Sequence, residues 1–212
     1  MIDLYTWNTP NGRKATIMLE ECGLDYNLKP INIREGEQKQ PDYLKINPNG
    51  RIPALFDHDN NARVFESGAM LVYLAEKTGV FLPQDPIERA EILGWTFWQT
   101  GGLGPMLGQY GHFSGLDEDI PYALERYRDE SARLLSVLDT HLQQHDYLGK
   151  EYSIADMMNY SWALMGMNNI GENHPEMVKD FTALKDWLER IGKRPAVQMG
   201  VGVLAELSQS RY

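Results

Sequence analysis

The segment RIPALFDHDNNARVFESGAMLVYLAEKTG, residues 51–79, contains two short apolar runs, a polar turn between them and a helical segment. The letters DNNA, residues 59–62, are typical of the connection in a β-hairpin. Apolar residues then recur at helical spacing from Ser67 to Thr78, and Gly79 is a typical helix end. We therefore expect two antiparallel strands followed directly by a helix.

Upstream of this segment, strand-like and helix-like pieces alternate. Ile2 and Leu4 flank a polar residue in a first strand, and apolar residues at helical spacing then run to Cys22. The stretch YNLKPINI, residues 26–33, predicts a second strand. A strand, a helix and a second strand in this order predict a parallel pair. Residues 1–80 are thus expected to form an α/β domain of order βαβ-ββα with a mixed sheet.

Downstream, the pattern becomes helical throughout. We interpret residues 81–86, FLPQDP, as a linker and residues 87–212 as an all-helical domain. The predicted helices are about 86–110, 120–145, 153–168 and 175–191, with a shorter one after Pro195. GGLGP, residues 101–105, is expected to bend or break the first of them, because Gly and Pro disfavour helix interiors.

Composition narrows the possible functions. The chain has 212 residues, a formal net charge of −10 and one cysteine. The negative charge argues against a nucleic-acid binder and against attachment to an anionic membrane surface. We see no apolar run of the roughly 20 residues that a membrane span needs, and no secretory signal. A lone cysteine excludes an internal disulfide framework and fits the reducing cytoplasm, where we expect the protein.

Four spaced motifs resemble those of the cytosolic glutathione transferases. They are TPNGRK (9–14), RIPAL (51–55), FESGAMLVYLAEK (65–77) and YSIAD (152–156). Within that superfamily, three stretches are most similar to the bacterial nu class and the disulfide-bond oxidoreductases: TPNG (9–12), FWQTGGLGPMLGQ (97–109) and IPYALERY (120–127). The resemblance covers essentially the whole chain. It implies an N-terminal thioredoxin-like domain, an all-α C-terminal domain and a homodimer.

The resemblance also implies an activity. Where many transferases carry a catalytic Tyr, Ser or Cys, this chain has Thr9 and Asn11, as the nu class does. We therefore expect glutathione-dependent reduction of small disulfides or hydroperoxides, with glutathione as the thiol source and no metal. Glutathione and glutathione disulfide are the expected ligands. Two alternatives stay open: conjugation of glutathione to small electrophiles, and a non-enzymatic regulatory or scaffold protein that binds glutathione.

Two candidate subsites follow from the motifs. Thr9 and Asn11 are the expected catalytic residues, because a hydroxyl, an amide and a helix N-terminus all favour a charged sulfur. By the resemblance, Ser67 holds the γ-glutamyl carboxylate of glutathione and Glu66 meets its amino group. The alternative for Ser67 is a plain helix cap.

The remaining candidates lie around these two subsites. X-Pro bonds are usually trans, but the resemblance implies a cis bond between Ile52 and Pro53 that turns the Ile52 backbone toward the cysteinyl unit. A protein of net charge −10 needs local positive charge or hydrogen-bond donors to hold an anion. We choose Gln38 and Arg126 because they match nu-class positions, with Arg51 next. Further candidates are Arg13, Lys14 and Lys39.

We interpret Cys22 and the pair of histidines on one predicted helix as structural residues. Cys22 has no partner cysteine and lies at the far end of its helix from the positive terminus, so we expect a buried structural thiol. His141 and His145 have metal-like spacing but no third ligand nearby in sequence, so we favour placement at a helix C-terminus over a zinc site.

Overall fold

The chain folds into two compact units in a computed structural model, which describes residues 1–118 and 120–209. One unit comprises Met1–Leu82 together with the C-terminal helix, and the other comprises Pro83–Gly192. Within residues 1–118 and 120–209, no helix is both long enough and apolar enough to cross a membrane.

The first unit is built on a four-stranded sheet. Its strands are β1 (Ile2–Thr6), β2 (Tyr26–Pro30), β3 (Ala54–Asp57) and β4 (Ala62–Phe65). They lie in the order β2-β1-β3-β4, with β1 parallel to β2 and antiparallel to β3, and with β3 antiparallel to β4. The predicted mixed sheet is therefore confirmed. The second strand ends at Pro30, earlier than the predicted residue 33, and the Ile31 amide just beyond it still donates to the Thr6 carbonyl at 2.9 Å.

Helices of the first unit follow the strands. They are α1 (Pro10–Glu21), the short α2 (Pro41–Leu44) and α3 (Ser67–Thr78). Helix α3 has the predicted bounds, and Gly79 ends it in the left-handed conformation with φ of 76°. A glycine adopts that conformation without the steric cost that a Cβ brings.

The second unit contains the helices α4 (Pro86–Trp98), α5 (Gly104–Ser114), α6 (Pro121–Leu142), α7 (Ile154–Asn173) and α8 (Thr182–Gly192). A π-helical turn, Gln99–Leu103, joins α4 to α5, so the predicted bend at GGLGP is confirmed. The predicted helix over 175–191 is in fact a 3₁₀ turn, Pro175–Met177, followed by α8. The thioredoxin-like and all-helical fold classes are both as predicted.

Asp156 organises the core of the second unit. With Ser153 it forms a capping box at the start of α7. Its carboxylate accepts hydrogen bonds from the Leu148 backbone amide at 3.0 Å and from the Trp187 indole at 2.9 Å. Burial raises the pKa of Asp156 to about 6, although these hydrogen bonds act in the opposite direction.

The last helix, α9 (Pro195–Gln209), packs against α1 in the first unit. The sequence placed it with the helical domain of residues 87–212, and the structure differs there. Arg194, just before α9, donates to both carboxylate oxygens of Glu21 at 2.6 and 2.8 Å. Gly200 makes the close approach possible, because a Cβ there would lie 2.7 Å from the Ile17 nitrogen.

Candidate active site

Strand register brings three connections to one edge of the sheet. Tyr5 near the end of β1 pairs with Ala54 at the start of β3, and Ala54 pairs with Phe65 at the end of β4. The turn that follows β1, the residues that precede β3 and the residues that follow β4 therefore leave the sheet at the same edge. Most of the sequence-predicted site residues of the first unit lie in these connections.

The turn after β1 begins α1 with a capping hydroxyl. Thr9 is the N-cap residue, and its Oγ1 accepts a hydrogen bond from the Gly12 amide at 3.0 Å. Because that bond uses the hydroxyl as an acceptor, its own hydrogen is still available to donate. Gly12 is required for the packing of the turn, since a Cβ there would lie 2.1 Å from the Trp7 carbonyl oxygen. The polar turn is thus both a helix cap and a set of donors at a helix N-terminus.

Asn11 and Ser67 are linked by a third residue, Lys14. The Lys14 ammonium donates to Asn11 Oδ1 at 2.9 Å and to Ser67 Oγ at 3.4 Å. The structure thereby joins the candidate thiolate residue on α1 to the candidate carboxylate residue on α3. Lys14 was only a secondary candidate in the sequence, and its place between these two residues was missed.

Lys14 is buried, with 1% of its surface exposed. Burial lowers the pKa of its ammonium to about 7, and the negative charge of Glu66 acts in the opposite direction. The cation therefore titrates near neutral pH. An anion bound beside it would favour the charged form.

Glu66 and Ser67 lie at the start of α3, and neither side chain caps the helix. Glu66 is the N-cap residue, and no side-chain hydrogen bond caps the helix. Ser67 is the first helical residue, so the alternative of Ser67 as a plain cap does not hold. Glu66 is exposed and has φ of 69° and ψ of 119°, a conformation that L-residues rarely adopt. Such strain is common where a side chain and a helix N-terminus together face a ligand.

The peptide bond between Ile52 and Pro53 is cis, as the family resemblance implied. The preceding Arg51 carbonyl is held by two side chains, accepting from the Tyr43 hydroxyl at 2.6 Å and from the Asn47 amide at 2.7 Å. Arg51 itself is exposed. These contacts fix the backbone that leads into β3.

Gln38 lies close to the same loop. A Cβ at Gly50 would lie 3.0 Å from the Gln38 carbonyl oxygen and 2.9 Å from the Lys39 ammonium. The Gln38 side chain donates to the Ile33 carbonyl at 3.3 Å, and its Oε1 is buried without a partner among the described residues. Because one donor hydrogen of the Gln38 amide already bonds to Ile33, a contact between Gln38 and a ligand stays a prediction.

The remaining candidates Arg126 and Arg13 lie on α6 and α1. Arg126 lies on α6 in the second unit and is exposed. It lines a cavity of about 650 Å³ with Met106, Tyr122, Glu125, Tyr127, Asp129, Glu130 and Arg133. Hydrogen bonds from Arg133 lower the pKa of Glu130, and the charge of Arg126 adds to the effect.

Arg13 is held by its own turn, since its guanidinium donates to Asn8 Oδ1 at 3.1 and 3.2 Å.

Cys22 has the surroundings of a structural thiol. It is the C-cap of α1, half-buried rather than fully buried as expected, and its Sγ lies 3.5 Å from the Thr78 hydroxyl. Burial raises the pKa of the thiol, and the nearby Glu21 carboxylate acts in the same direction. A reactive cysteine needs the opposite shift.

The thioredoxin-like unit, which carries two helix N-termini at one edge of its sheet, and the all-helical unit match the fold class that the sequence resemblance implied. Comparison with known proteins agrees. Residues 9–77 match the family model for the glutathione S-transferase N-terminal domain, and residues 111–195 match that for the C-terminal domain. The chain belongs to the glutathione S-transferase family.

Its relatives include proteins of the subtype that the sequence suggested. The chain is 45% identical to the disulfide-bond oxidoreductase YfcG of Escherichia coli strain K12, over 100% of this chain and 99% of the relative. A glutathione transferase from Pseudomonas putida, solved with one glutathione disulfide bound per subunit, superposes with a TM-score of 0.90. It is 37% identical, over 95% of this chain and 91% of its own. A family member from Pseudomonas fluorescens Pf-5, solved with two glutathiones bound, has a TM-score of 0.89 at 38% identity, over 94% and 92%.

Proposed function

We propose that this protein reduces small disulfides with glutathione as the thiol, and organic hydroperoxides by attack of the same thiolate on the O–O bond, which yields an alcohol, water and glutathione disulfide from two glutathiones. The observation that carries the proposal is the chain of contacts from Asn11 through Lys14 to Ser67 at the starts of α1 and α3. These contacts join an amide, a cation and a hydroxyl, and in the proposal these groups hold the thiolate and the γ-glutamyl carboxylate of one glutathione. The name of the Escherichia coli relative supports the reaction class.

In the proposed reaction, the glutathione thiolate attacks one sulfur of the substrate disulfide. That sulfur–sulfur bond breaks, and the departing thiolate takes a proton to become the first thiol product. A second glutathione then attacks the mixed disulfide, which releases the second thiol and glutathione disulfide. Two glutathiones are thus oxidised for each disulfide reduced.

Each candidate residue has an assigned part in the proposal. Thr9 and Asn11 donate to the sulfur, and the α1 terminus adds its positive end. Ser67 donates to the γ-glutamyl carboxylate, and Glu66 accepts from the amino group. Ile52, just before Pro53, pairs its backbone with the cysteinyl unit. Gln38 and Arg51 supply further donors to the ligand, and Arg126 is assigned to glutathione binding from the resemblance alone.

The direct test compares three substrates with purified protein and reduced glutathione. Hydroxyethyl disulfide, an organic hydroperoxide and an aryl halide report reductase, peroxidase and conjugating activity. We expect turnover of the first two to exceed conjugation of the third. Conjugation alone would identify a transferase of ordinary type, and tight glutathione binding without any turnover would identify a binding protein.

A further inference from the structure

Lys14 is a buried cation whose contacts lie on both candidate subsites. Its ammonium donates to Asn11 on its own helix at 2.9 Å and to Ser67 of α3 at 3.4 Å. In the part of the chain that the structure describes, it is the one Lys or Arg among the buried residues. Burying an ammonium is costly unless polar groups or an opposite charge surround it.

The chemistry of an ammonium decides how its two partners are oriented. A charged lysine has three donor hydrogens and no acceptor. The atom of Asn11 that faces it must therefore be the carbonyl oxygen, so the NH₂ group of that amide faces away. The oxygen of Ser67 likewise accepts from Lys14, so the hydroxyl hydrogen must point to another acceptor.

From this geometry we infer that Lys14 is a positioning residue that presents both Asn11 and Ser67 as hydrogen-bond donors to one anionic ligand. The inference rests on the proposed function, in which Asn11 meets the glutathione sulfur and Ser67 meets its γ-glutamyl carboxylate. With Lys14 uncharged, either partner is free to turn an acceptor toward the ligand. With Lys14 charged, both are fixed as donors and a positive charge lies behind them.

The surroundings of Lys14 give the arrangement a pH dependence. Glu66, from the start of α3, is the charged group whose field raises the pKa of the ammonium, whereas burial lowers it to about 7. Helix α9 also packs against α1, where its Gly200 carbonyl accepts from Thr16 and the preceding Arg194 pairs with Glu21. A bound carboxylate favours the charged lysine. Ligand binding above pH 7 is therefore expected to take up a proton.

S-methylglutathione is a suitable probe because its sulfur does not ionise. Calorimetry at pH 6 and pH 8, in buffers of different ionisation enthalpy, measures both affinity and proton uptake. For the wild-type protein we expect affinity to fall from pH 6 to pH 8 and uptake of up to one proton at pH 8. Lys14→Met should bind about tenfold more weakly at pH 6, with no uptake at pH 8.

Arg13→Met is the matched control. It removes a positive charge from the neighbouring position of the same helix, but its guanidinium contacts Asn8 and neither subsite residue. We expect it to keep the wild-type affinity and proton uptake. Ultraviolet absorbance of bound glutathione thiolate supplies a second measurement, in which Lys14→Met should raise the thiol pKa while Arg13→Met leaves it unchanged.

The outcomes separate this inference from the proposed function. Failure of the wild-type protein to bind S-methylglutathione would refute the glutathione site itself. Tight binding without proton uptake at pH 8 in the wild-type protein would show that Lys14 is already charged before the ligand binds, and the variants then decide its role. A folded Lys14→Met with wild-type affinity and thiol pKa would overturn the role of Lys14 and leave the site intact, and Lys14→Gln replaces Lys14→Met if the latter does not fold.

Discussion

Asn11→Ala tests the assignment of the thiolate subsite. Asn11 lies in the first turn of α1, and Lys14 holds its carbonyl oxygen at 2.9 Å. In the proposed mechanism, the NH₂ group at the other end of the amide donates to the bound sulfur. Removing it should leave the glutathione thiol with a higher pKa, closer to its reference value of about 8.5.

The size of the expected rise in the thiol pKa follows from the contacts that remain in Asn11→Ala. A hydrogen bond to a charged group contributes about 1.5–3 kcal/mol, and one pKa unit corresponds to about 1.4 kcal/mol. Thr9, the α1 terminus and the Lys14 ammonium still favour the thiolate in the variant. We therefore expect the lower end of the range, a rise of about one unit and a loss of about tenfold in turnover at pH 7.

The assay is hydroxyethyl disulfide reduction with saturating glutathione, measured from pH 6 to pH 9. The loss in Asn11→Ala should shrink as pH rises, because the thiol then ionises without help from the site. Thr9→Ala should lose less, since the helix terminus and Asn11 remain. Asn8→Ala is the matched control: it removes the same group from the same turn, but its oxygen contacts Arg13. Normal turnover of folded Asn11→Ala at every pH would refute the reasoning.

Three further predictions concern affinity, stability and assembly. Ser67→Ala and Glu66→Ala should each weaken glutathione binding by about 1–3 kcal/mol, because each removes a partner of a charged ligand group; unchanged calorimetric affinity in both would refute the assigned pocket. Asp156→Ala should lower the free energy of unfolding in urea by about 3–5 kcal/mol, because it leaves the donors of Leu148, Ser153 and Trp187 without an acceptor. A loss below 1 kcal/mol would contradict that role. Light scattering should give about twice the chain mass of 24.2 kDa, and a value near the chain mass at micromolar protein would exclude the homodimer.

Local signals were enough to predict most of the first unit. Helix α3 runs between Ser67 and Thr78 as expected, because Gly79 ends it and the strand before it ends at Phe65. The partner of α9 was not predictable in this way. An apolar helix after Pro195 indicates that one face is buried, but not against which helix. The Gly200 contact and the Arg194 pair with Glu21 that fix it are visible only in three dimensions.

The candidate site was predicted less evenly. Thr9, Asn11, Glu66 and Ser67 were chosen through family resemblance, since a Ser at a helix start is by itself a common cap. Lys14 was ranked low because lysines are almost always exposed. One signal was available: Lys14 lies three residues after Asn11 and four before the buried Met18, on the inward face of α1.

The proposed mechanism depends on glutathione, and not Cys22, as the source of the reacting sulfur. Hydroxyethyl disulfide reduction with glutathione should be measured for the wild-type protein and for Cys22→Ser, with folding of both checked by circular dichroism. Cys22 lies at the far end of α1 from Asn11, and its thiol pKa is raised rather than lowered. We therefore predict that Cys22→Ser keeps most of the wild-type turnover, since glutathione supplies the thiol. A folded Cys22→Ser without reductase activity would contradict the proposed mechanism.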